Sequence, residues 1–466
     1  MKKMLNLYLI GAFISVFDFS PKAQVAPAYF ADSLQAILDG SIPSTFSNAG
    51  GILGVVVPGQ WSWYGASGNA ISGMTVGQPI TTATALNQFR AGSITKNMIS
   101  TAILKMEQDG LLSIEHPISM YLRPTLVTDT IASSGIVLIR HLLNHTSGIA
   151  NSGDNNGCNT TVIGNPLSNY TLEYAINCGA SQGELFSPGS NWAYSNTNYS
   201  ILAMIIREVT GQTAADYITQ NIITPLGLLN TEFPTTNQLS NPHMGCYWNI
   251  GSWIDLTIIN PSVYAGWADV VSTTEDLIIY YDSLLNGAII NAGQLVKMKT
   301  IDANANGYGL GMDFYTALGT SFYGHYGEVA NTSGLFFVNL SSATTPNGYY
   351  ISYNFNTQGV NMQGLIDIPV LQFLKNNSAE ISENLVNDQF EIYPNPTRNH
   401  CRIKLKDIFG KVDISFTDVT GRVVLSQTIA NPLNDFSIDL SSMKNGVYWV
   451  TLINNSNSSI QKLVID

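Results

Sequence analysis

The chain has 466 residues, enough for one large and one small globular unit, and 45% of them are hydrophobic, enough for a substantial core. Only 11% are charged, well under the roughly 25% of an average soluble domain, with Asn, Ser, Thr and Gly in their place. A formal net charge of −12 without any Lys/Arg cluster excludes a nucleic-acid binder, because nothing would neutralise phosphates.

Lys2 and Lys3 precede an apolar stretch, Leu5 to Phe17, too short to span a bilayer, and small residues surround Ala23. This is the pattern of an export signal, expected over residues 1–24; a buried N-terminal helix is the weaker alternative. No later run approaches the ~18 consecutive apolar residues of a membrane helix, so no membrane span is expected after the signal.

Residues 25–375 mix two textures. Apolar, β-like runs stand at the ends: Ile52 to Val57, Gly334 to Asn339 and Tyr349 to Tyr353. Helical patterns lie between them. Ser93 to Gly110 carries an apolar stripe at Ile94, Met98, Ala102, Ile103 and Met106 and stops at Asp109-Gly110. Tyr199 to Thr210 and Thr274 to Leu285 also read as helices. Terminal strands around central helices predict an α+β fold: a mostly antiparallel sheet, whose first and last strands meet, with a helical subdomain. Four cysteines allow three full pairings. The Gly/Asn-rich stretch between Cys158 and Cys178 favours that bridge, leaving Cys246 and Cys401 in different domains. The six histidines are scattered, and no spacing fits a metal site.

Residues 376–387 are polar and aperiodic, as a linker is. From 388 to 466 short alternating strands follow: Val412 to Phe416, Arg422 to Ser426, Phe436 to Leu440, Val447 to Ile453 and Gln461 to Ile465. Turns at Thr420-Gly421 and Asn445-Gly446 separate some of them. A small all-β sandwich is expected.

Ser93 and Lys96 carry the chemistry. A serine hydroxyl is a poor nucleophile and needs a base within reach; positions i and i+3 share a helix face. At a helix start, free N–H groups and the positive dipole end also face the reacting centre. Burial lowers a lysine pKa and makes it a usable base. Ser-x-x-Lys also occurs at Ser441 and Ser459, but in the β-patterned tail; only Ser93, preceded by Ala91-Gly92, opens a helix.

Two further motifs follow in order. Tyr194-Ser195-Asn196 comes after Phe186-Ser187-Pro188-Gly189, and His325-Tyr326-Gly327 comes after Tyr308-Gly309-Leu310-Gly311. With Ser93-Ile94-Thr95-Lys96, they resemble the serine β-lactamase and penicillin-binding family, in the branch of class C β-lactamases, DD-carboxypeptidases and related esterases. His141 to Gly148 and Ser272 to Leu277 match landmarks of that family, and the resemblance covers nearly all of residues 30–375. It implies that Ser93 is acylated, that Lys96 and Tyr194 share the proton, and that Asn196 orients Lys96 and the substrate amide. His325, where the family more often has Lys, would hydrogen-bond Tyr194, beside Gly327. Backbone N–H groups of Ser93 and Glu328 would form the oxyanion hole. No metal or organic cofactor is required. Tyr247-Trp248-Asn249, Tyr393-Pro394-Asn395 and His243-Met244-Gly245 fit motif fragments without their context. His145 lies in what is a structural turn of the family.

The tail resembles the C-terminal sorting domain of type IX secretion cargo in Bacteroidetes-type bacteria. The matching pieces are Tyr393-Pro394-Asn395-Pro396, Asp418 to Val424, Leu440-Ser441 through Gly446-Val447-Tyr448, and Lys462-Leu463-Val464. That implies the type IX machinery as partner and a secreted or cell-surface destination by way of the periplasm. An adhesive or carbohydrate-binding β-module is the blander alternative. The expected function is a secreted serine hydrolase acting on an amide or ester, with peptidoglycan-derived substrates among the candidates: a DD-carboxypeptidase-like peptidase or a carboxylesterase. The alternatives are a catalytically silent binding or sensor protein of the same fold and a true class C-like β-lactamase.

Overall fold

The computed structural model describes residues 24–377 and 390–466, except 76–77, 123–130, 132, 240–241, 342–344, 346, 407–409, 419–422, 431 and 455–456. The expected export signal up to residue 23, most of the expected linker and the Thr420-Gly421 turn lie outside the described residues. The described chain divides into two compact units, one of residues up to 340 with 347–371, the other of 341–346 with 372–466.

An eight-stranded sheet organises the first unit. Its strands are β1 (Gln24–Val25), β2 (Gly50–Val57), β3 (Trp61–Ile71), β4 (Thr81–Thr82), β5 (Asp313–Ala317), β6 (Thr320–Glu328), β7 (Thr332–Val338) and β8 (Tyr349–Phe355). Their order is β1-β3-β2-β8-β7-β6-β5, with β4 paired to β3. All pairs are antiparallel except β1 with β3. The first long strand meets the last, as expected, with Leu53 opposite Tyr353. Strand β2 is apolar almost throughout and β8 is buried at every position, the pattern of strands covered on both faces. The covering helices are α1 (Ala28–Ser41) against β2 and β3, and α4 (Thr274–Leu285) against β2, β7 and β8.

The helical region centres on α2 (Thr95–Gln108) and α3 (Asn196–Thr210). The sequence stripe predicts an amphipathic α2, but every residue from Thr95 to Leu104 is buried. Its polar face is satisfied inside the protein. Asn97 Nδ2 donates to the Gly311 carbonyl at 2.9 Å, and the Tyr280 hydroxyl donates to Asn97 Oδ1 at 2.7 Å. Thr101 Oγ1 donates to the Asn97 carbonyl at 2.8 Å. Buried polar groups are tolerated when so paired, and the result is a rigid platform for whatever precedes the helix.

Cys158 and Cys178 form a disulfide, and Cys246 and Cys401 are buried free thiols. In the tail, β9 (Phe390–Tyr393), β10 (His400–Leu405) and β13 (Asp435–Asp439) form a three-stranded sheet. A four-stranded sheet comprises β11 (Val412–Asp418), β12 (Val423–Ile429), β14 (Gly446–Asn454) and β15 (Asn457–Ile465). Both contribute to one core containing Phe390, Ile403, Phe416, Val450 and Leu463, which makes a sandwich. Strands β9 and β10 are additions to the sequence expectation. In β10, Cys401, Ile403 and Leu405 point inward while His400, Arg402 and Lys404 face out, the period-2 alternation of a half-buried strand.

Candidate active site

Ser93 sits in a 3₁₀ turn, Gly92–Ile94, that feeds directly into α2. Gly92 is needed twice over. Its φ is +59°, and a β carbon there would lie 2.7 Å from the Glu328 nitrogen. The Ser93 turn is thereby pressed against the end of β6. Gly327 closes the same contact: a β carbon on it would lie 2.1 Å from the Ala91 carbonyl oxygen. Ser333 Oγ, which donates to that same carbonyl at 2.9 Å, ties β7 to the turn.

One turn along, Lys96 is completely buried, and its Nζ is 2.8 Å from Ser93 Oγ and 3.0 Å from the Trp267 carbonyl. The rings of Tyr194, Trp267 and Tyr199 surround it, their centroids 5.0, 5.3 and 5.6 Å from Nζ. Burial drives the Lys96 pKa well below the ordinary lysine value; the Asp269 carboxylate pulls the other way but does not win.

Tyr194 precedes α3 and interacts with Ser93 through its hydroxyl, while burial pushes its pKa far upward. The segment is pinned from behind by His145. The Ser195 N–H donates to His145 Nδ1 at 3.1 Å, and the Ala193 N–H to the His145 carbonyl at 3.1 Å. The His145 ring packs 4.3 Å from that of Tyr194. His145 has a left-handed backbone, φ +62°, and is therefore a turn residue that also positions Tyr194. Burial keeps its ring neutral.

Two roles implied by the resemblance differ in the structure. His325 reaches Tyr308, not Tyr194: its Nε2 is 2.7 Å from the Tyr308 hydroxyl, whereas its ring lies 6.4 Å from that of Tyr194. His325 Nδ1 donates to the Tyr326 carbonyl, so Nε2 is the acceptor and Tyr308 the donor. Burial, with Lys96 nearby, lowers the His325 pKa to about 3, so the ring is neutral. Asn196 does not hold Lys96 either. Its Oδ1 is buried without a hydrogen-bond partner among the described residues, while its backbone N–H donates to Asn151 Oδ1 at 2.9 Å. The Trp267 carbonyl takes that position on the amine. Being main chain, it leaves no side-chain signature in the sequence.

Ser93, Tyr194, Asn196, His325, Gly327 and Glu328 line one cleft of about 650 Å³, which Tyr308, Asp313, Tyr315, Tyr326 and Trp267 complete. Behind its wall, Asp367 Oδ2 accepts hydrogen bonds from the hydroxyls of Tyr315 at 2.7 Å, Tyr326 at 2.8 Å and Tyr353 at 3.2 Å. Of the motif fragments elsewhere, Tyr247 is structural. It is buried and its hydroxyl accepts the Ser72 N–H at 2.8 Å. Among the described residues, no cluster of His, Cys, Asp or Glu could hold a metal ion, and no helix is long and apolar enough to cross a membrane.

Residues 44–368 match the beta-lactamase family. The chain belongs to that family, whose members are serine hydrolases. Residues 391–466 match the secretion system C-terminal sorting domain, which marks the protein for export to the surface or the medium. A putative penicillin-binding protein of Bacillus subtilis (strain 168), PbpX, is 30% identical over 243 residues, 52% of this chain and 56% of its own. Protein flp of Staphylococcus aureus (strain NCTC 8325 / PS 47) is 26% identical over 322 residues, 66% of this chain and 61% of its own. The chain thus spans 56 to 61% of the length of these curated relatives. Among solved structures, the D-stereospecific amidohydrolase from Streptomyces sp. superposes with a TM-score of 0.61 at 23% identity, covering 73% of this chain and 98% of that one. The D-amino acid amidase from Ochrobactrum anthropi SV3, complexed with L-phenylalanine, gives 0.62 at 22% identity, covering 75% and 99%. These two share the fold.

Proposed function

We propose that this protein is an exported serine hydrolase that cleaves an amide or ester through an acyl-enzyme on Ser93, a DD-carboxypeptidase-like peptidase or a carboxylesterase. The observation that carries the reading is the 2.8 Å contact between Ser93 Oγ and the buried amine of Lys96. A neutral amine there has a lone pair for the serine proton, and a serine with such a base is an activated nucleophile. Burial moves the two candidate bases apart: the Lys96 pKa falls and the Tyr194 pKa rises. Lys96 is therefore the base in acylation. Tyr194, protonated, gives its proton to the leaving group and recovers it from Lys96. The N–H groups of Ser93 and Glu328 receive the oxyanion, each donor of this kind being worth roughly 2.7–4 kcal/mol. Water then releases the acyl group by the reverse proton path. Asn196, on the cleft wall, contacts substrate.

Of the two, the cleft favours the carboxylesterase, because a DD-carboxypeptidase substrate carries a free carboxylate beside the scissile bond and would meet like charge here. Its charged lining residues are Asp313 and Glu328; no Lys or Arg is among the described residues that line it. The Tyr326 hydroxyl is committed to Asp367, and His325 is neutral. A D-amino acid amidase, named for amide substrates, shares the fold, and a carboxylate-free amide or ester is the class this cleft accommodates. The test is mass analysis after a small fluorophosphonate, with peptide mapping. An adduct between Ala91 and Lys96, lost in Ser93→Ala, supports the reading. An adduct at another serine, or intact protein with no turnover of any ester, overturns it in favour of a binding protein.

A further inference from the structure

Next to the cleft lies a second chamber of about 340 Å³. The two share Asn196, Trp267 and Glu328, which form a common rim. The chamber is mostly apolar: Val162, Tyr170, Leu256, Ile259, Val263 and Tyr264 are among its walls, and Glu328 is the one charged residue among the described residues that line it. Part of the wall comes from a helix, Asn156–Gly164, that buries none of its own residues. Ile163 on that helix is 39% exposed, an apolar surface with no internal cover. The helix is nevertheless fixed in place: Cys158 is bonded to Cys178, and Asn155 Nδ2 donates to the Cys178 carbonyl at 2.8 Å. A fixed, uncovered apolar wall of this volume beside a nucleophile has the character of a small-molecule site.

Resting on the acyl-enzyme reading above, we propose that this chamber receives a bulky apolar side chain on the acyl half of the substrate, and that the Cys158–Cys178 clamp sets its size. The assignment to the acyl half follows from the position of the proton donor. Tyr194 and His325 line the cleft but not the chamber. The leaving group must lie on the Tyr194 side to receive its proton. The acyl substituent then lies across the Asn196–Trp267–Glu328 rim, where the chamber opens. A volume of 340 Å³ holds an aromatic ring with room to spare, since a cavity of about 150 Å³ takes benzene.

The experiment uses p-nitrophenyl esters with one leaving group and acetyl, butyryl, hexanoyl or 3-phenylpropanoyl as acyl group. Burying each methylene contributes about fourfold, so kcat/KM for 3-phenylpropanoyl should exceed that for acetyl by more than tenfold. Val162→Trp, which fills the chamber from its exposed helix, should lower kcat/KM for 3-phenylpropanoyl at least tenfold more than kcat/KM for acetyl. Cys158→Ser with Cys178→Ser should flatten the chain-length preference by loosening the wall. A labelled Ser93 with no acyl-size preference, or a Val162→Trp variant that loses acetyl and phenylpropanoyl turnover equally, overturns the chamber assignment alone. So does a preference that follows leaving-group size in a series of acetate esters. An unlabelled Ser93 with no ester turnover overturns the acyl-enzyme reading instead.

Discussion

Glu328 offers the sharpest electrostatic prediction. It ends β6 beside the Gly92–Ser93 turn and lies on the rim of the cleft. Its carboxyl is partly desolvated, which raises its pKa, and a hydrogen bond from Gln358 opposes that rise. A substrate carboxylate ~6 Å away would be repelled by about 3 kcal/mol at an effective dielectric of ~20. Glu328 is exposed, so screening leaves roughly half of that, ~1.4 kcal/mol, or about tenfold in kcat/KM. The assay is a matched pair of acyl-D-Ala-D-Ala peptides, one with a free C-terminus and one amidated. The wild type should favour the amide about tenfold, and Glu328→Gln should bring the ratio close to one. The ratio should also shrink with added salt. Equal or faster cleavage of the free acid by the wild type, with no response to Glu328→Gln, would refute the repulsion and strengthen a DD-peptidase or β-lactamase assignment.

Four further outcomes are expected. Lys96→Ala and Tyr194→Phe should each slow acylation by roughly 10²–10⁴-fold, as loss of general acid–base catalysis does, without change in circular dichroism. Asp269 raises the Lys96 pKa, so Asp269→Asn should move the acid limb of the kcat/KM profile to lower pH. His141 has its pKa lowered to about 4 by burial and by Arg140; the unfolded state, at ~6.5, binds the proton first. Its stability contribution is therefore lost as pH falls from ~6.5 toward 4, by roughly 3 kcal/mol at most, and His141→Gln should show a smaller drop in Tm between pH 7 and 4.5. Finally, a chain ending at Asn377 should keep full esterase activity when purified, yet accumulate in the periplasm of its native host. Loss of activity at unchanged folding would show that the tail shapes the site.

Much of the site is readable from the sequence because its side chains follow one another at local spacing. Ser93 and Lys96 share a helix turn, Tyr194 and Asn196 sit at a helix start, and Gly327 must be glycine where β6 meets the Ala91 carbonyl. The helices and strands are legible for the same reason: β2, β8 and α4 have uninterrupted patterns. What escapes is whatever depends on partners brought in from other elements of the chain. The acceptor of the Lys96 amine is a carbonyl 171 residues away, which any residue could provide. Asp367 gathers three tyrosines from three different strands, and nothing local distinguishes it from an ordinary surface aspartate. The all-round burial of α2 is hidden because Asn97, Ser100 and Thr101 read as a solvent face until their partners arrive from Gly311, Tyr199 and Tyr280.

In the proposed mechanism His325, where the resembled family more often has Lys, bears on how Lys96 is tuned. A lysine beside Lys96 would lower its pKa by like-charge repulsion, and a neutral imidazole cannot. His325, at a pKa of about 3, carries no charge at working pH, and burial is the main cause acting downward on Lys96. In the proposed mechanism the Lys96 amine is thus held neutral by burial, against the pull of Asp269. The aromatic cage of Tyr194, Tyr199 and Trp267 supplies that burial. Its rings would otherwise favour the ammonium form, so desolvation must outweigh both the cage's own π faces and the aspartate. A site tuned this way is vulnerable at the cage rather than at position 325. Opening it to water returns the amine toward its ordinary pKa and removes the base at pH 7, whereas changing His325 chiefly releases Tyr308.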